Sequence, residues 1–390
     1  EKRKKEADRV AAESGTWTEA DKARIQEEGK TLTAWQQAPD SPEALATIPM
    51  LQLSDIDPTP EKLPVTVTEQ AGLPVLLHKT GSSLVYLDLH FDVSDLTLEE
   101  LRDAALLTRL LGKLPTRKHT AAQLQLLTKQ KIGSLRYGPT VYSGKIPAVR
   151  LSANLVSLPS QKETAAQILT EILTDTLFED RKTLKDLLDQ QLMGLQMEFA
   201  GAGHRYARSR ALAMITGDGA AREALSGSTY IHYVKQLCAA DDAGLDALLA
   251  RLEKIASKAF TRSRMVISVS ENGAELSEGL PEAFPQGTAA IRTEYAPMDR
   301  TQLGLPIPAG IGFAAKASNM AQHGGSYHGS LFVLENILNF SYLWNEIRVQ
   351  GGAYGCGFTA SADGDICFHT YRDPQPGRSL DVFDRAAEYI

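Results

Sequence analysis

Apolar and polar side chains alternate without a break from residue 85 to residue 93. Val85, Leu87, Leu89, Phe91 and Val93 fall on one face, and Tyr86, Asp88, His90 and Asp92 on the other. A period of two is the mark of a β-strand with one buried face. Ser94-Asp95 then reads as a cap, and Leu101, Leu106, Leu107 and Leu110 make a helical stripe over 97–112. The pattern continues with a helix over 120–131 and strands over 135–142 and 149–158. Helices are expected over 162–178, 184–216, 229–238 and 243–260, followed by a strand over 265–270 that ends on the turn signal Glu271-Asn272-Gly273. Upstream, 65–78 reads as a hairpin around Gly-Leu-Pro.

The order then restarts. A Pro/Gly/Glu linker at 280–287 precedes a strand over 311–317 and a long apolar helix over 328–348 carrying Leu331, Leu334, Leu338 and Trp344. A glycine-rich turn and two strands follow, and the last residues read as helix. The repetition lies in the order of elements and not in residue identity. Antiparallel strands beside runs of helices predict an α+β fold: two related domains of mainly antiparallel sheet packed with helices, the second truncated. Ahead of them, 1–37 is charge-dense and helix-prone, with Thr16-Trp17-Thr18-Glu19-Ala20-Asp21 as a capping signal, and 39–64 is punctuated by proline. The expected division is 1–64 as helical connector and extended linker, 65–280 as a first α+β domain and 281–390 as a partial second one. Glu1 in place of Met, and a helical ending without Gly or Pro, read as a fragment.

The net charge of −7 argues against nucleic acid as partner, because phosphate neutralisation needs a basic face. No apolar run approaches the ~20 residues of a membrane span. Cys238, Cys356 and Cys367 form neither a C-x-x-C pair nor a disulfide framework. Cys356 and Cys367 flank a hairpin and read as small buried residues.

The chemistry concentrates in one stretch, E-I-R-V-Q-G-G-A-Y-G-C-G, which places a cation at a helix end and a phenol in a glycine turn. Arg348 and Tyr354 are placed to reach a shared point and to meet a peptide carbonyl. Two plainer readings stand beside this: Arg348 complementing the helix dipole, and Gly351-Gly352 stopping the helix. Tyr371-Arg372-Asp373-Pro374 reads as a corner with Arg372 and Asp373 paired locally. Arg205, Tyr206, Arg208 and Arg210 read as one solvated helix face. Asp88, His90 and Asp92 read as the polar face of a sheet. His323 and His328 read as a solvated loop pair. None of the eight histidines lies in H-x-x-E-H or H-E-x-x-H.

R-V-Q-G-G-A-Y-G followed by T-Y-R-D-P resembles the carboxy-terminal half of the pitrilysin/insulysin-type zinc metallopeptidases, and within them the presequence-protease branch. W-Q-Q-A-P-D-S-P-E-A-L-A-T-I-P-M-L and L-V-Y-L-D-L-H-F-D-V-S-D-L resemble that branch's connector and the first long strand of its third domain. The resemblance implies two halves joined by a helical hairpin, closing like a clamshell around an unfolded peptide. It places zinc on the amino-terminal half, in an inverted H-x-x-E-H motif with a distal Glu, and none in this chain. It makes Arg348 and Tyr354 catalytic, with Gly351, Gly352 and Ala353 as substrate-binding positions. The implied partners are the amino-terminal catalytic half and unstructured peptides, with no nucleic acid and no membrane. The implied activity is zinc-dependent endopeptidase action on short peptides by the full-length protein, this chain being inactive alone, in a bacterial cytoplasm or an organellar matrix. The rival reading is a non-catalytic peptide-binding or scaffold subunit of the same fold.

Overall fold

The chain divides into two compact units, Glu1–Lys62 and Leu63–Ile390, in a computed structural model that describes residues 2–59, 62–144 and 146–390. The first unit is built from local interactions. Its helices Lys2–Ser14 and Glu19–Gln37 are followed by the short helix Pro42–Ala46. Thr18 caps the second helix: its hydroxyl accepts from the Asp21 N–H, and the Asp21 carboxylate accepts from the Thr18 N–H. Arg9–Glu6 and Arg24–Glu28 pair one helical turn apart. None of the unit's described side chains is buried, so caps and exposed ion pairs carry its order.

In the second unit, the alternating strand of residues 85–93 becomes the centre of a sheet. The strands are β1 (Val65–Gln70), β2 (Leu73–His78), β3 (Val85–Asp92), β4 (Ser134–Tyr142), β5 (Ala148–Ser157) and β6 (Met265–Ser270). They lie in the order β1-β2-β6-β3-β5-β4, antiparallel except for the β2–β6 pair. Val85, Leu87, Leu89 and Phe91 are fully buried. Leu87, Leu89 and Phe91 share their core with helices that include Leu98–Leu110, Lys162–Thr174 and Asp242–Ala259, through Leu106, Leu169 and Leu252. Each such side chain contributes about 1.5–3 kcal/mol on burial. The cap of Leu98–Leu110 is Thr97 and not Ser94-Asp95. Ser94 is instead tied into the sheet, its hydroxyl donating to Asp92 Oδ1 and accepting from the Val149 N–H.

The helix expected over 184–216 is two helices, Arg181–Gly201 and Gly203–Ala213. Two glycines in three residues make helix costly there, and the chain turns at Ala202. A further helix, Gly217–Ser226, follows, capped by Thr216.

The second, smaller sheet holds β7 (Ala315–Asn319), β8 (Gly355–Ala360) and β9 (Asp365–Tyr371) in the order β7-β9-β8, all antiparallel. β7 starts later than its sequence pattern suggests, because Gly312 bridges to Asp373 instead. Leu338, Leu343, Ile347, Phe358, Val382 and Phe383 form the core of this part. Cys356 lies opposite Thr370, and Cys367 opposite Thr359, so the two thiols are not cross-strand neighbours. No helix among the described residues is long and apolar enough to cross a membrane.

Candidate functional site

The helix leading to Arg348 changes character along its length. Ser330–Ile337 is α-helical, and Leu338–Val349 is a π-helix. At its end the Gln350 N–H donates to the Asn345 carbonyl five residues back, at 2.9 Å. Segments of this kind are rare and concentrate at functional sites. One anchor lies at its start: Asn339 accepts from the Phe358 N–H at 2.5 Å and donates to the Phe358 carbonyl at 3.0 Å, standing in for a neighbouring strand along β8.

The turn that follows is fixed by its two glycines. Gly352 has φ of +77°, a left-handed conformation that L side chains resist. At Gly351 a Cβ would lie 2.5 Å from the Ile347 carbonyl oxygen and 2.7 Å from Arg378 Nη1. Arg378 Nη1 donates to the Glu346 carbonyl at 2.6 Å, closing the turn from below. The Gly352 and Ala353 N–H groups donate to the Arg348 and Ile347 carbonyls. Gly351 and Ala353 are buried and Gly352 is exposed. Of the three expected substrate-binding positions, only Gly352 therefore presents a surface, and its N–H is already engaged.

Arg348 and Tyr354 come together on this turn. Arg348 Nη1 donates to the Tyr354 carbonyl oxygen at 2.6 Å. The guanidinium carbon lies 4.2 Å from the Trp344 ring centre and 5.4 Å from that of Tyr354. The cation is thus held against two aromatic rings, each contact contributing about 0.5–1 kcal/mol at an exposed site. The rest of its planar donor fork is left over among the described residues. Tyr354 is 64 % exposed, its ring edge-on to Tyr371 at 5.8 Å.

Behind Tyr371 the stack continues inward through residues that the sequence pattern did not single out. His204 lies 4.8 Å from Tyr371 and 5.9 Å from His369, and the Nδ1 atoms of both histidines are buried without partners among the described residues. Burial, and then the charge of Arg208, push His369 down to about 4, and His204 is held down for the same reasons. Of the run from Arg205 to Arg210 only Arg205 is solvated, paired at the surface with Glu198. Tyr206 is buried, Arg208 donates to Thr359 Oγ1 at 3.1 Å and Arg210 reaches Met298 Sδ at 3.1 Å. Packing of Gly203–Ala213 against the second sheet explains the difference. Arg372 and Asp373 do not pair among the described residues. Arg372 has φ of +51°, and Asp373 accepts from the Gln375 N–H and the Ser379 hydroxyl.

A second polar cluster joins three separate elements. Oxygens of Asp218, Asp363 and Asp365 lie within 4.8 Å of one another. Ser143 donates to Asp218 and Asp363, Arg222 pairs with both, and Asn319 Nδ2 donates to Asp365. Burial first, then the neighbouring carboxylates of Asp363 and Asp218, raise Asp365 to about 6. Asp363 and Asp365 lie two residues apart, but Asp218, Ser143 and Asn319 come from distant parts of the chain.

Comparison with known proteins gives a consistent result. Residues 1–237 match the family model for the region associated with M16 peptidases of subgroup C, and residues 303–390 match the one described as PreP C-terminal domain. The chain is 27 % identical over 372 residues to the protein HypA of Clostridium perfringens, covering 93 % of this chain and 38 % of that one. It is 27 % identical over 389 residues to presequence protease 1, chloroplastic/mitochondrial, of Arabidopsis thaliana, covering 96 % of this chain and 36 % of the relative. The chain thus spans well under half the length of these curated relatives. Among solved structures, the peptidase M16 inactive domain from Pseudomonas fluorescens shares the fold with a TM-score of 0.57 at 17 % identity, over 84 % of this chain and 79 % of that one.

Proposed function

The chain belongs to the M16 peptidase family, in its presequence-protease branch, where it corresponds to the carboxy-terminal half; from this we propose that it is the zinc-free half, inactive alone, of a zinc-dependent endopeptidase that degrades short, unstructured peptides, supplying cleft wall and transition-state contacts. The observation that carries the reading is the pairing of Arg348 with Tyr354 on an exposed turn, with guanidinium donors unspent. Residues 65–280 and 281–390 would be the third and fourth domains of the full enzyme, a reading supported by the two separate sheets.

The described residues do not fit a catalytic zinc. Such a site takes imidazole or thiolate ligands with a carboxylate. Here the three-membered cluster is all carboxylate, and Arg222 and Ser143 already occupy it. Zinc, and all chemistry that depends on it, is assigned to the amino-terminal half.

The role of this chain is hydrogen-bond donation. Arg348 offers its free N–H groups to a backbone carbonyl of the bound peptide. The Tyr354 hydroxyl donates to the oxygen of the scissile carbonyl as it gains negative charge. Donors fixed toward developing charge stabilise a transition state by about 2.7–4 kcal/mol each. The rigid turn supplies that fixity, and exposed Gly352 lets the peptide backbone approach. Closure of the two halves would bring these donors to the substrate and exclude water. The test is cleavage of a quenched fluorescent peptide by this chain together with a separately expressed amino-terminal half. Activity requiring both chains supports the reading; undiminished activity from both Arg348→Ala and Tyr354→Phe would refute the assigned role.

A further inference from the structure

The open face of the larger sheet carries a cavity of about 530 Å³ lined by Tyr142, Ile146, Ala148, Arg150 and Arg292, among others. Its size suits a small ligand or one end of a larger one. Arg150 lies in register with Asp92 of β3 and Thr140 of β4, yet it forms no ion pair with Asp92. One oxygen of that carboxylate accepts from the N–H and hydroxyl of Ser94, and the other lies 3.8 Å from Arg292 Nε. The Arg150 guanidinium turns instead toward Tyr142, 5.4 Å from the ring centre. Its Nε is buried and finds no acceptor among the described residues.

A buried donor without an acceptor destabilises a fold, so native structures pair nearly all of them. Arg150 lines the cavity with its guanidinium held against the Tyr142 ring, so the part of the guanidinium that meets the cavity can receive an acceptor from outside. Arg292 is placed to join it. The Thr293 N–H donates to the Ser94 carbonyl at 3.0 Å, and the Tyr295 hydroxyl donates to the Leu96 carbonyl at 3.1 Å, which fixes the segment carrying Arg292 over the sheet. Among the described residues here, Arg150 and Arg292 set against Asp92 leave one positive charge over, in a chain of net charge −7. Planar guanidinium forks match carboxylates in geometry.

We propose that the cavity between Arg150, Arg292 and Tyr142 binds a carboxylate of a peptide. The identity of the ligand rests on the peptide-degrading reading above; the site itself uses none of its residues. The carboxylate can be the chain terminus or an Asp or Glu side chain. Either would tether a peptide at a point separate from Arg348 and Tyr354.

The experiment measures binding of a short labelled peptide to this chain by fluorescence anisotropy. Three forms of the peptide are compared: free acid with an internal Glu, carboxy-terminal amide, and Glu→Gln. Removal of the relevant carboxylate is expected to weaken binding about tenfold, and Arg150→Gln should abolish that difference. Arg292→Gln, at an exposed position, should reduce it and guards against misfolding of the Arg150 variant. Arg348→Ala should leave the carboxylate preference intact. Equal binding of all three peptides to the native chain overturns this proposal alone. No binding of any peptide overturns it too, while the peptide-degrading reading stands or falls on the two-chain cleavage assay. Saturable binding of inorganic phosphate, lost in Arg150→Gln and accompanied by no carboxylate preference, overturns it in favour of a free anion.

Discussion

Arg348 Nη1 donates to the carbonyl oxygen of Tyr354, and the same guanidinium lies over the Tyr354 ring. The two residues are one mechanical unit. Removing the Arg348 side chain frees the turn and ring that carry the Tyr354 hydroxyl, so their effects on cleavage should not add. In the two-chain assay, Arg348→Ala and Tyr354→Phe are each expected to lower kcat/KM roughly 100-fold to 1000-fold. The double variant should fall by much less than the product. A strictly multiplicative loss would show that the two side chains act independently.

Trp344 holds Arg348 from its other side, at 4.2 Å. Trp344→Leu should lower stability by only about 0.5–1 kcal/mol, because the ring is partly exposed. Its effect on kcat should be larger than that on KM, since the contact orients a donor without touching substrate. Trp344→Phe should recover most of the rate. Steady-state kinetics beside thermal unfolding separates the two effects; a KM effect with kcat unchanged would count against orientation.

Gly351 and Gly352 resist substitution for different reasons. Gly352→Ala forces an L residue to φ of +77° and is expected to cost roughly 1–2 kcal/mol. Gly351→Ala drives a methyl into the Ile347 carbonyl and Arg378 and should cost more. Midpoints of urea unfolding give the order, and the reverse order would mean that the turn relaxes around position 351.

Two groups pull the pH dependence of stability in opposite directions. Asp365 is raised to about 6 by burial and by its carboxylate neighbours, so its folded form holds the proton more tightly than its unfolded form. Stability from this group is present below about pH 4 and is lost as pH rises through 6. His369 is pushed down to about 4 by burial and Arg208, so it loses stability as pH falls from about 6.5 to 4. Burial holds His204 and His90 down as well, adding to the histidine side. Asp365→Asn should therefore raise stability at pH 7 by about 1 kcal/mol after solvent screening and steepen the acid loss. His369→Gln should flatten it. Urea midpoints between pH 4 and 7 test both, and parallel curves for all three proteins would mean that neither group titrates in this range.

What could be read in the sequence was whatever local pattern dictates. The alternation from Val85 to Phe91 marks the central strand because one face of a sheet must meet helices and the other need not. That Arg348 and Tyr354 would meet was legible because a glycine pair between a helix and a strand leaves few directions for the chain; the role proposed for them comes from the family resemblance. Arg208 was misread, since its partner Thr359 lies on a sheet more than a hundred residues away, and Tyr206 because it is buried with its ring edge-on to Phe199. His204, His369 and the aspartate cluster were invisible because tertiary packing brings His204 to His369, and Asp218 to Asp363 and Asp365. The break at Ala202 was signalled by its flanking glycines, but the apolar residues on either side read as one helix.

The π-helical run before the glycine turn also makes the aim of the guanidinium depend on a tally of residues. In an α-helix each residue turns the chain by roughly 100°, and wider spacing changes the running total. Deleting one residue between Leu338 and Val349 would swing Arg348 to another side of the axis while leaving its chemistry, and that of Tyr354, untouched. A single codon lost near the start of this run, roughly two or three turns before the arginine, would disarm this half of the protein as thoroughly as replacing it.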